Sequence, residues 1–387
     1  MSYDFKTDSR YQQYFSKSHD MVRNSVREFI RKEVLPYIDD WEEAGEFPGE
    51  MYKKAADIGI LGMGYPEEYG GTPGDVFFQI TVSEELMRST SGGFCAGLGS
   101  LHIALPPVLH LGTEEQKKKF IPPVLAGDKI AALGITESGG GSDVANIQTT
   151  AERDGDYYIV NGSKCFITSG CRADQLTCAV RTGEEGAHGI SLLVIEADTP
   201  GYSTSEKLKK SGWWASDTAE IFFNNCRVPA ANLIGEENQG FYGIMMNFQA
   251  ERLSLAVMAN MTARMALEEA VEYARERKAF GKSLTGFQVN RHKLADMATL
   301  VEASTEFTYR VGAKIGAGVN QVKEVSMAKN FACDVSDKVT YDAVQLFGGY
   351  GYMRGYTVER LYRDNRILSI GGGTREIMNE IISGHIL

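Results

Sequence analysis

Closely spaced cysteine pairs are absent from this chain. Its six cysteines, Cys95, Cys165, Cys171, Cys178, Cys226 and Cys333, show no CxxC spacing and no neighbouring histidine pair. That excludes the usual zinc frameworks and leaves no metal site to expect. They read as reduced thiols used as small apolar fillers. No window approaches the roughly 18 consecutive apolar residues of a membrane helix, so the chain reads as soluble. An excess of basic residues is missing too: Lys and Arg total 40 against 51 Asp and Glu, a formal charge of −11. Nucleic acids and anionic membranes need clustered cations, so neither is an expected partner, and an anionic ligand must find a local positive patch. The start, Met1, Ser2, Tyr3, Asp4, Phe5 and Lys6, builds neither a secretory signal nor an Arg-rich transit segment. It favours a bacterial-type cytoplasmic protein or a trimmed mature form. Internal repeats and low-complexity segments are also lacking.

What is there is ordinary globular composition, 43% apolar and 24% charged over 387 residues, long enough for two or three packed units. Over residues 18–34, Met21, Val22, Val26, Phe29, Ile30 and Val34 recur at helical spacing, with Pro36 just beyond. Helical stretches continue over 51–58, 77–87 and 114–125. Near Lys129 short β-branched and aromatic runs take over until about Gly240. Residues 157–160 and 164–168 flank Asn161-Gly162, a strong hairpin signal, and 190–195 and 218–223 are further strands, the latter closed by Pro229. Helical periodicity returns over 251–278, 288–316 and 322–347, as in an antiparallel bundle. The expected fold is α+β, mainly α: helical over 1–128, a β domain over 129–240, and a helical bundle over 241–387.

The chemistry-bearing stretches begin with Leu133, Ile135, Thr136, Glu137 and the run Gly139-Gly140-Gly141-Ser142-Asp143. Glycines there let backbone N–H groups approach a phosphate or a flavin edge, with hydroxyls as extra donors. This is neither a GxGxxG after a strand nor a Walker loop. Three later segments stand with it: Asn161-Gly162-Ser163-Lys164-Cys165-Phe166-Ile167-Thr168; Arg277 to Gln288, with Phe280, Gly281, Leu284 and Phe287; and Gln345 to Tyr352, with Gly348, Gly349 and Gly351. A guanidinium such as Arg277 suits diphosphate because its planar fork bonds two oxygens at once.

Together, in order and at their spacings, the four segments resemble those of the FAD-dependent acyl-CoA dehydrogenase family, from the β region to the C-terminus. The resemblance implies an N-terminal helical domain, a middle β-barrel and a C-terminal four-helix bundle, assembled as a homotetramer, a dimer of dimers. It implies FAD held by Leu133, Ile135, Thr136, Gly141, Ser142, Phe166, Ile167 and Thr168 at the ring. Arg277, Phe280, Phe287, Gln288, Gln345, Gly348, Gly349, Thr374 and Glu376 complete the FAD site, Arg277 and Gln288 reaching the pyrophosphate of a neighbouring subunit. An acyl-CoA substrate and electron transfer flavoprotein as acceptor are implied as well.

One departure from the family pattern bears on mechanism. Most members carry the catalytic carboxylate in an Ile-Tyr-Glu-Gly-Thr segment, whereas this chain reads Ile370-Gly371-Gly372-Gly373-Thr374. The isovaleryl-CoA and long-chain branches instead place the Glu on a helix before Arg-Leu, matched here by Glu251-Arg252-Leu253. The resemblance therefore implies Glu251 as the base that takes the Cα proton of an acyl-CoA, giving a trans-2-enoyl-CoA. Ser142, Tyr242, Gln249, Arg252, Gly371 and Gly372 match substrate positions, with the Gly372 N–H available to the thioester carbonyl. Without the resemblance, Glu251 reads as a solvated carboxylate paired with Arg252 or Arg275. An acyl-CoA oxidase, an elimination enzyme on the same scaffold and a silent acyl-CoA or FAD binder are the rival readings. A Glu grafted at position 372 is expected to restore part of the activity lost with Glu251.

Overall fold

The computed structural model describes residues 13–387, so the leader reading on residues 1–6 lies outside the described residues. The first third is helical: α1 (Lys17–Phe29), α2 (Ile38–Ala44), α3 (Glu50–Asp57), α4 (Val76–Met87), α5 (Gly92–Leu98), α6 (Leu101–Ala104), α7 (Pro106–Leu111), α8 (Glu114–Phe120) and α9 (Pro122–Leu125). The single helix expected over 18–34 ends as a π-helical turn, Ile30–Val34, in which both Ile30 and Val34 are buried. The stretch 114–125 is two helices because Pro122 and Pro123 have no N–H with which to continue the helical hydrogen-bond ladder.

The strands are β1 (Ala131–Gly134), β2 (Thr150–Asp154), β3 (Tyr157–Thr168), β4 (Gln175–Arg181), β5 (Ile190–Glu196), β6 (Tyr202–Thr204), β7 (Thr218–Pro229) and β8 (Leu233–Ile234). They form one sheet in the order β6-β7-β3-β2-β4-β5-β8, with β1 alongside β4. The expected barrel is corrected here: the sheet is open, since its end strands β6 and β8 do not pair. Closure needs full-length terminal strands in a staggered register, and these span only three and two residues. Helices cover the sheet instead, with α6 on β1 and α7 on β8.

The expected hairpin at Asn161-Gly162 is also corrected. Both residues lie inside β3, at a register shift against β7 between Val160 and Gly162. Gly162 is required there: its φ is +139° and a Cβ would stand 2.7 Å from the Thr149 Cα. The turn into β3 is made by Gly155 at φ +59°. A bulge and a tight turn call for the same residue types, because both need positive φ.

The last third begins with α10 (Gly240–Glu276), then the two-stranded ribbon β9 (Lys278–Ala279) and β10 (Lys282–Ser283). It continues through α11 (Gln288–Gly316), α12 (Val322–Phe347), α13 (Gly349–Tyr352), α14 (Thr357–Asn365) and α15 (Arg375–Ile386). α10, α11 and α12 pack together, α14 and α15 lean on α12, and α10 also touches α4 and β5. At its first turn α10 meets β5 backbone to backbone: a Cβ on Gly240 would lie 2.6 Å from the Ser191 carbonyl carbon. Asp364 of α14 accepts N–H bonds from Gly92 (3.0 Å) and Trp213 (2.6 Å), joining the three regions. Burial, with Glu42 beside it, pushes the Asp364 carboxyl up to about 7.

Gly240→Ala is expected to lower stability by about 1–3 kcal/mol, because the new methyl meets main chain that cannot rotate away. A lower urea midpoint at unchanged slope would show it, and an unchanged midpoint would contradict the close approach.

Candidate active site

Glu251 lies on α10, and its Oε2 is buried with no hydrogen-bond partner among the described residues. Burial raises its pKa above the ordinary glutamate value, against the opposing pull of Lys329 and Arg252. The solvated ion pair open from sequence is not what the structure has. Arg275 is 3.7 Å from Glu272, and the Arg252 guanidinium lies 5.4 Å from the Phe248 ring centre with its own Nε unpartnered.

The glycine turn 371–373 closes over this carboxylate. A Cβ built on Gly372 would be 3.3 Å from Glu251 Oε1 and 2.4 Å from Leu255 Cδ1, and its φ is +61°. Glycine is needed on both counts, so the grafted Glu at 372 expected to restore activity would be strained and would collide with Leu255. Gly373, at φ +95°, faces Met378, Ile377 and Arg252. Its carbonyl accepts from the buried Lys329 Nζ at 2.5 Å. Thr374 then caps α15, accepting from the Ile377 N–H at 3.3 Å. Backbone N–H donation, then the Thr374 hydroxyl, lowers the carboxyl of exposed Glu376.

A second cluster joins β1, its following loop and β3. Leu133 is half-buried in β1, Ile135 is buried, Thr136 is half-buried, and Gly141 and Ser142 are exposed. The loop folds back on itself through N–H bonds exchanged between Glu137 and Gly140, at 3.2 and 3.1 Å. Gly141 packs on Thr136, whose Cγ2 is 3.3 Å from where a Cβ would be. The Thr136 carbonyl accepts from Cys165 N at 2.8 Å, which sets Thr136 beside the Phe166 to Thr168 end of β3. There Phe166 is held at φ +60° with its ring 67% exposed, Ile167 is buried and Thr168 half-buried. An exposed ring, two accessible hydroxyls and a bare glycine loop suit a flat heteroaromatic group. Between the strands, buried Lys164 donates to Glu137 at 2.7 Å and to the Ile135 carbonyl at 3.2 Å. Glu137 also accepts from the Gln148 and Thr149 amides, at 2.6 and 2.9 Å. Burial alone would raise the Glu137 carboxyl, but Lys164 and those amides take it below the ordinary value.

The remaining expected residues are not gathered into these two clusters within one chain. Arg277, Phe280 and Gln288 are exposed, with Phe287 half-buried. Phe280 at φ +49° and Gly281 at φ +79° form the two-residue turn between β9 and β10, leaving the Phe280 ring 95% exposed. Gln345, Gly348 and Gly349 lie exposed where α12 ends. Tyr242 is 53% exposed, its ring 6.2 Å from His188, and Gln249 is half-buried. The sequence reading quoted Glu137, Lys164 and Gly373 as motif members without a role, and did not reach Leu255 or Lys329. For Lys329 a signal exists: it falls on the buried α12 stripe of Val325, Ala328 and Ala332.

This architecture already defines a class: a helical, sheet, helical enzyme with a desolvated acid against a glycine turn and a separate shelf for a planar group. The chain matches the family models described as acyl-CoA dehydrogenase N-terminal domain (residues 16–128), middle domain (132–226) and C-terminal domain (238–387). It is 42% identical over 370 residues to an acyl-CoA dehydrogenase of Bacillus subtilis, covering 95% of this chain and 97% of that protein. It is 41% identical over 387 residues to the long-chain specific acyl-CoA dehydrogenase of Sus scrofa, covering 98% and 89%. A subunit of the caffeyl-CoA reductase-Etf complex of Acetobacterium woodii is 37% identical over 382 residues, covering 97% and 99%. Among solved structures, a probable acyl-CoA dehydrogenase of Mycobacterium abscessus superposes with a TM-score of 0.95 at 49% identity, covering 97% of this chain and 100% of that one. A Bacillus anthracis acyl-CoA dehydrogenase complexed with FAD gives 0.91 at 32% identity, covering 97% and 67%. The chain belongs to the acyl-CoA dehydrogenase family and is an oxidoreductase of that type.

Lys164→Met strands the Glu137 carboxylate and is expected to cost about 3–5 kcal/mol, most of it recovered in Glu137→Gln/Lys164→Met. Because the folded Glu137 pKa is depressed, its stabilisation is present above the ordinary glutamate pKa and is lost as pH falls through the folded value. Wild type and Lys164→Met should therefore converge in acid. Urea midpoints across pH check both statements.

Proposed function

We propose that Glu251 is the catalytic base of an FAD-dependent acyl-CoA dehydrogenase, removing the Cα proton of an acyl-CoA to give the trans-2-enoyl-CoA. The observation that carries this is the buried, unpartnered Oε2 beside Gly372. A carboxylate with one oxygen unpartnered and a pKa raised by burial is a stronger base than one in water, and proton transfer from a weak carbon acid needs that. FAD, the family's cofactor, supplies the hydride acceptor at Cβ. On this reading Thr136, Ser142, Phe166 and Thr168 hold its ring, with Leu133, Ile135, Gly141 and Ile167 shaping the shelf. The Gly372 N–H, which needs no side chain, polarises the thioester oxygen as enolate character grows. Gly371, Tyr242, Gln249, Arg252 and Ser142 line the acyl-CoA path.

Arg277, Phe280, Phe287, Gln288, Gln345, Gly348, Gly349, Thr374 and Glu376 are assigned to the rest of FAD, partly across subunits of a homotetramer. The exposure of Arg277, Phe280 and Gln288 in a single chain supports a partner there. Electron transfer flavoprotein is the proposed acceptor, a reading supported by the Etf-linked Acetobacterium relative. That relative also favours a second reading, in which the same site reduces an enoyl-CoA and Glu251 donates the proton to Cα. A cytoplasmic location goes with the proposal, and no single helix among the described residues is long and apolar enough to cross a membrane.

Glu251→Gln is expected to slow anaerobic flavin bleaching by acyl-CoA by at least ~10²–10⁴-fold while FAD stays bound. Bleaching at the wild-type rate would put the base elsewhere. Since the carboxylate is the active form and its pKa is raised, the acid limb of the rate profile should lie above the ordinary 4.5. Arg277→Ala should weaken FAD retention and subunit assembly together, read by flavin release on gel filtration. Loss of FAD from an intact tetramer would separate the two roles.

A further inference from the structure

Resting on the reading of Glu251 as base, we infer that Lys329 is its positioning residue: its ammonium anchors the 371–373 turn through the Gly373 carbonyl and presents the opposite charge to the carboxylate. Three observations carry this. Lys329 is fully buried on α12, on the same buried side as Val325, Ala328 and Ala332. An uncompensated lysine there would be costly or would lose its proton, so its placement needs a function. Its Nζ donates to the Gly373 carbonyl at 2.5 Å, one residue from the glycine whose missing side chain leaves room for Glu251. Gly372 and Gly373 both sit at positive φ, a conformation that free glycine leaves readily because it has so many alternatives. A buried charged donor on that carbonyl removes those alternatives.

The electrostatics point the same way. The groups facing Glu251 are Arg252 from its own helix and Lys329 from α12; the 371–373 turn brings no charge. Those facing Lys329 are Cys333 on α12, Glu251 and Arg252 on α10, and Arg375 on α15. Arg375 is committed to Asp334, and burial lowers the pKa of Arg252 and of Lys329 alike. Lys329 thus meets Glu251 as the counter-charge attached to the turn itself. Without it only Arg252 opposes burial at the carboxylate, and the proton is retained to higher pH.

The test separates tether from charge. Lys329→Gln keeps a donor for Gly373 and removes the charge; Lys329→Arg keeps the charge. The protonation of Glu251 is followed in the FAD-loaded protein by the infrared C=O stretch of the protonated carboxyl, assigned by its loss in Glu251→Gln. The pH profile of anaerobic flavin bleaching is recorded in parallel. Lys329→Gln should move both titrations upward by about one unit or more, while Lys329→Arg stays close to wild type. Coincident titrations for wild type and Lys329→Gln would overturn the inference, whatever happened to stability. If Lys329→Gln does not accumulate as yellow protein, Lys329→Arg decides: a titration displaced as far as one unit would overturn it. Normal bleaching in Glu251→Gln would instead defeat the reading of the base, so the two failures are distinguishable.

Discussion

The desolvation of α10 is the constraint from which the rest of the site follows. Thirty-seven residues long, it touches α4 and α7, the sheet at β5, and α11, α12 and α14. Any ionisable side chain near its middle must therefore leave water. For a carboxylate, full burial can raise the pKa by as much as ~3–5 units, and an opposite charge within a few ångströms lowers it by ~1–3. At Glu251 the net direction is upward despite Lys329 and Arg252, so burial outweighs the two cations. The balance leaves a proton affinity above that of a surface glutamate.

The other cluster solves the opposite problem. A glycine run has many conformations, and keeping one costs entropy at every residue. Lys164 and Glu137 meet that cost from below the loop. One buried ammonium binds both the Glu137 carboxylate and the Ile135 carbonyl, and the carboxylate holds the Gln148 and Thr149 amides. With its lone pairs used in this way, the pair escapes much of the penalty that usually makes buried ion pairs unprofitable. The result is a fixed shelf with Thr136 on one side and the exposed Phe166 on the other.

What could be read from sequence divides along physical lines. α11 and α12 were legible to the residue because their apolar stripes repeat at helical period between clear stops. The Asn161-Gly162 bulge was not, since residue type reports positive φ and not whether the partner strand turns or continues. Barrel closure depends on whether short edge strands find each other, which no local pattern encodes. Glu251 could be located only through its Arg-Leu neighbours, because a helix buried on most sides carries little amphipathic signal. Lys329 had the reverse difficulty: a lysine on an apolar stripe was visible, but its partner lay 44 residues away. Arg277 and Phe280 were singled out by motif, and both are exposed in the chain described.

The two departures of this chain from the commoner family pattern, glycine at 372 and Glu251 on α10, are one constraint seen twice. A side chain at 372 would meet Leu255 at 2.4 Å and the Glu251 carboxyl at 3.3 Å, so with Glu251 on α10 the turn has room only for glycine. Conversely, a helix-borne carboxylate has no reason to remain unpartnered unless that space is kept open, because a buried oxygen without a hydrogen bond costs about 1–3 kcal/mol or more. The positive φ at Gly372 and Gly373 adds a requirement that any other residue would meet only with strain. A carboxylate carried by α10 at this place thus obliges the turn to be glycine, and a glycine turn needs an anchor that its own backbone cannot provide. The Lys329 bond to the Gly373 carbonyl supplies it from the neighbouring helix, tying the shape of the turn to the charge that faces Glu251.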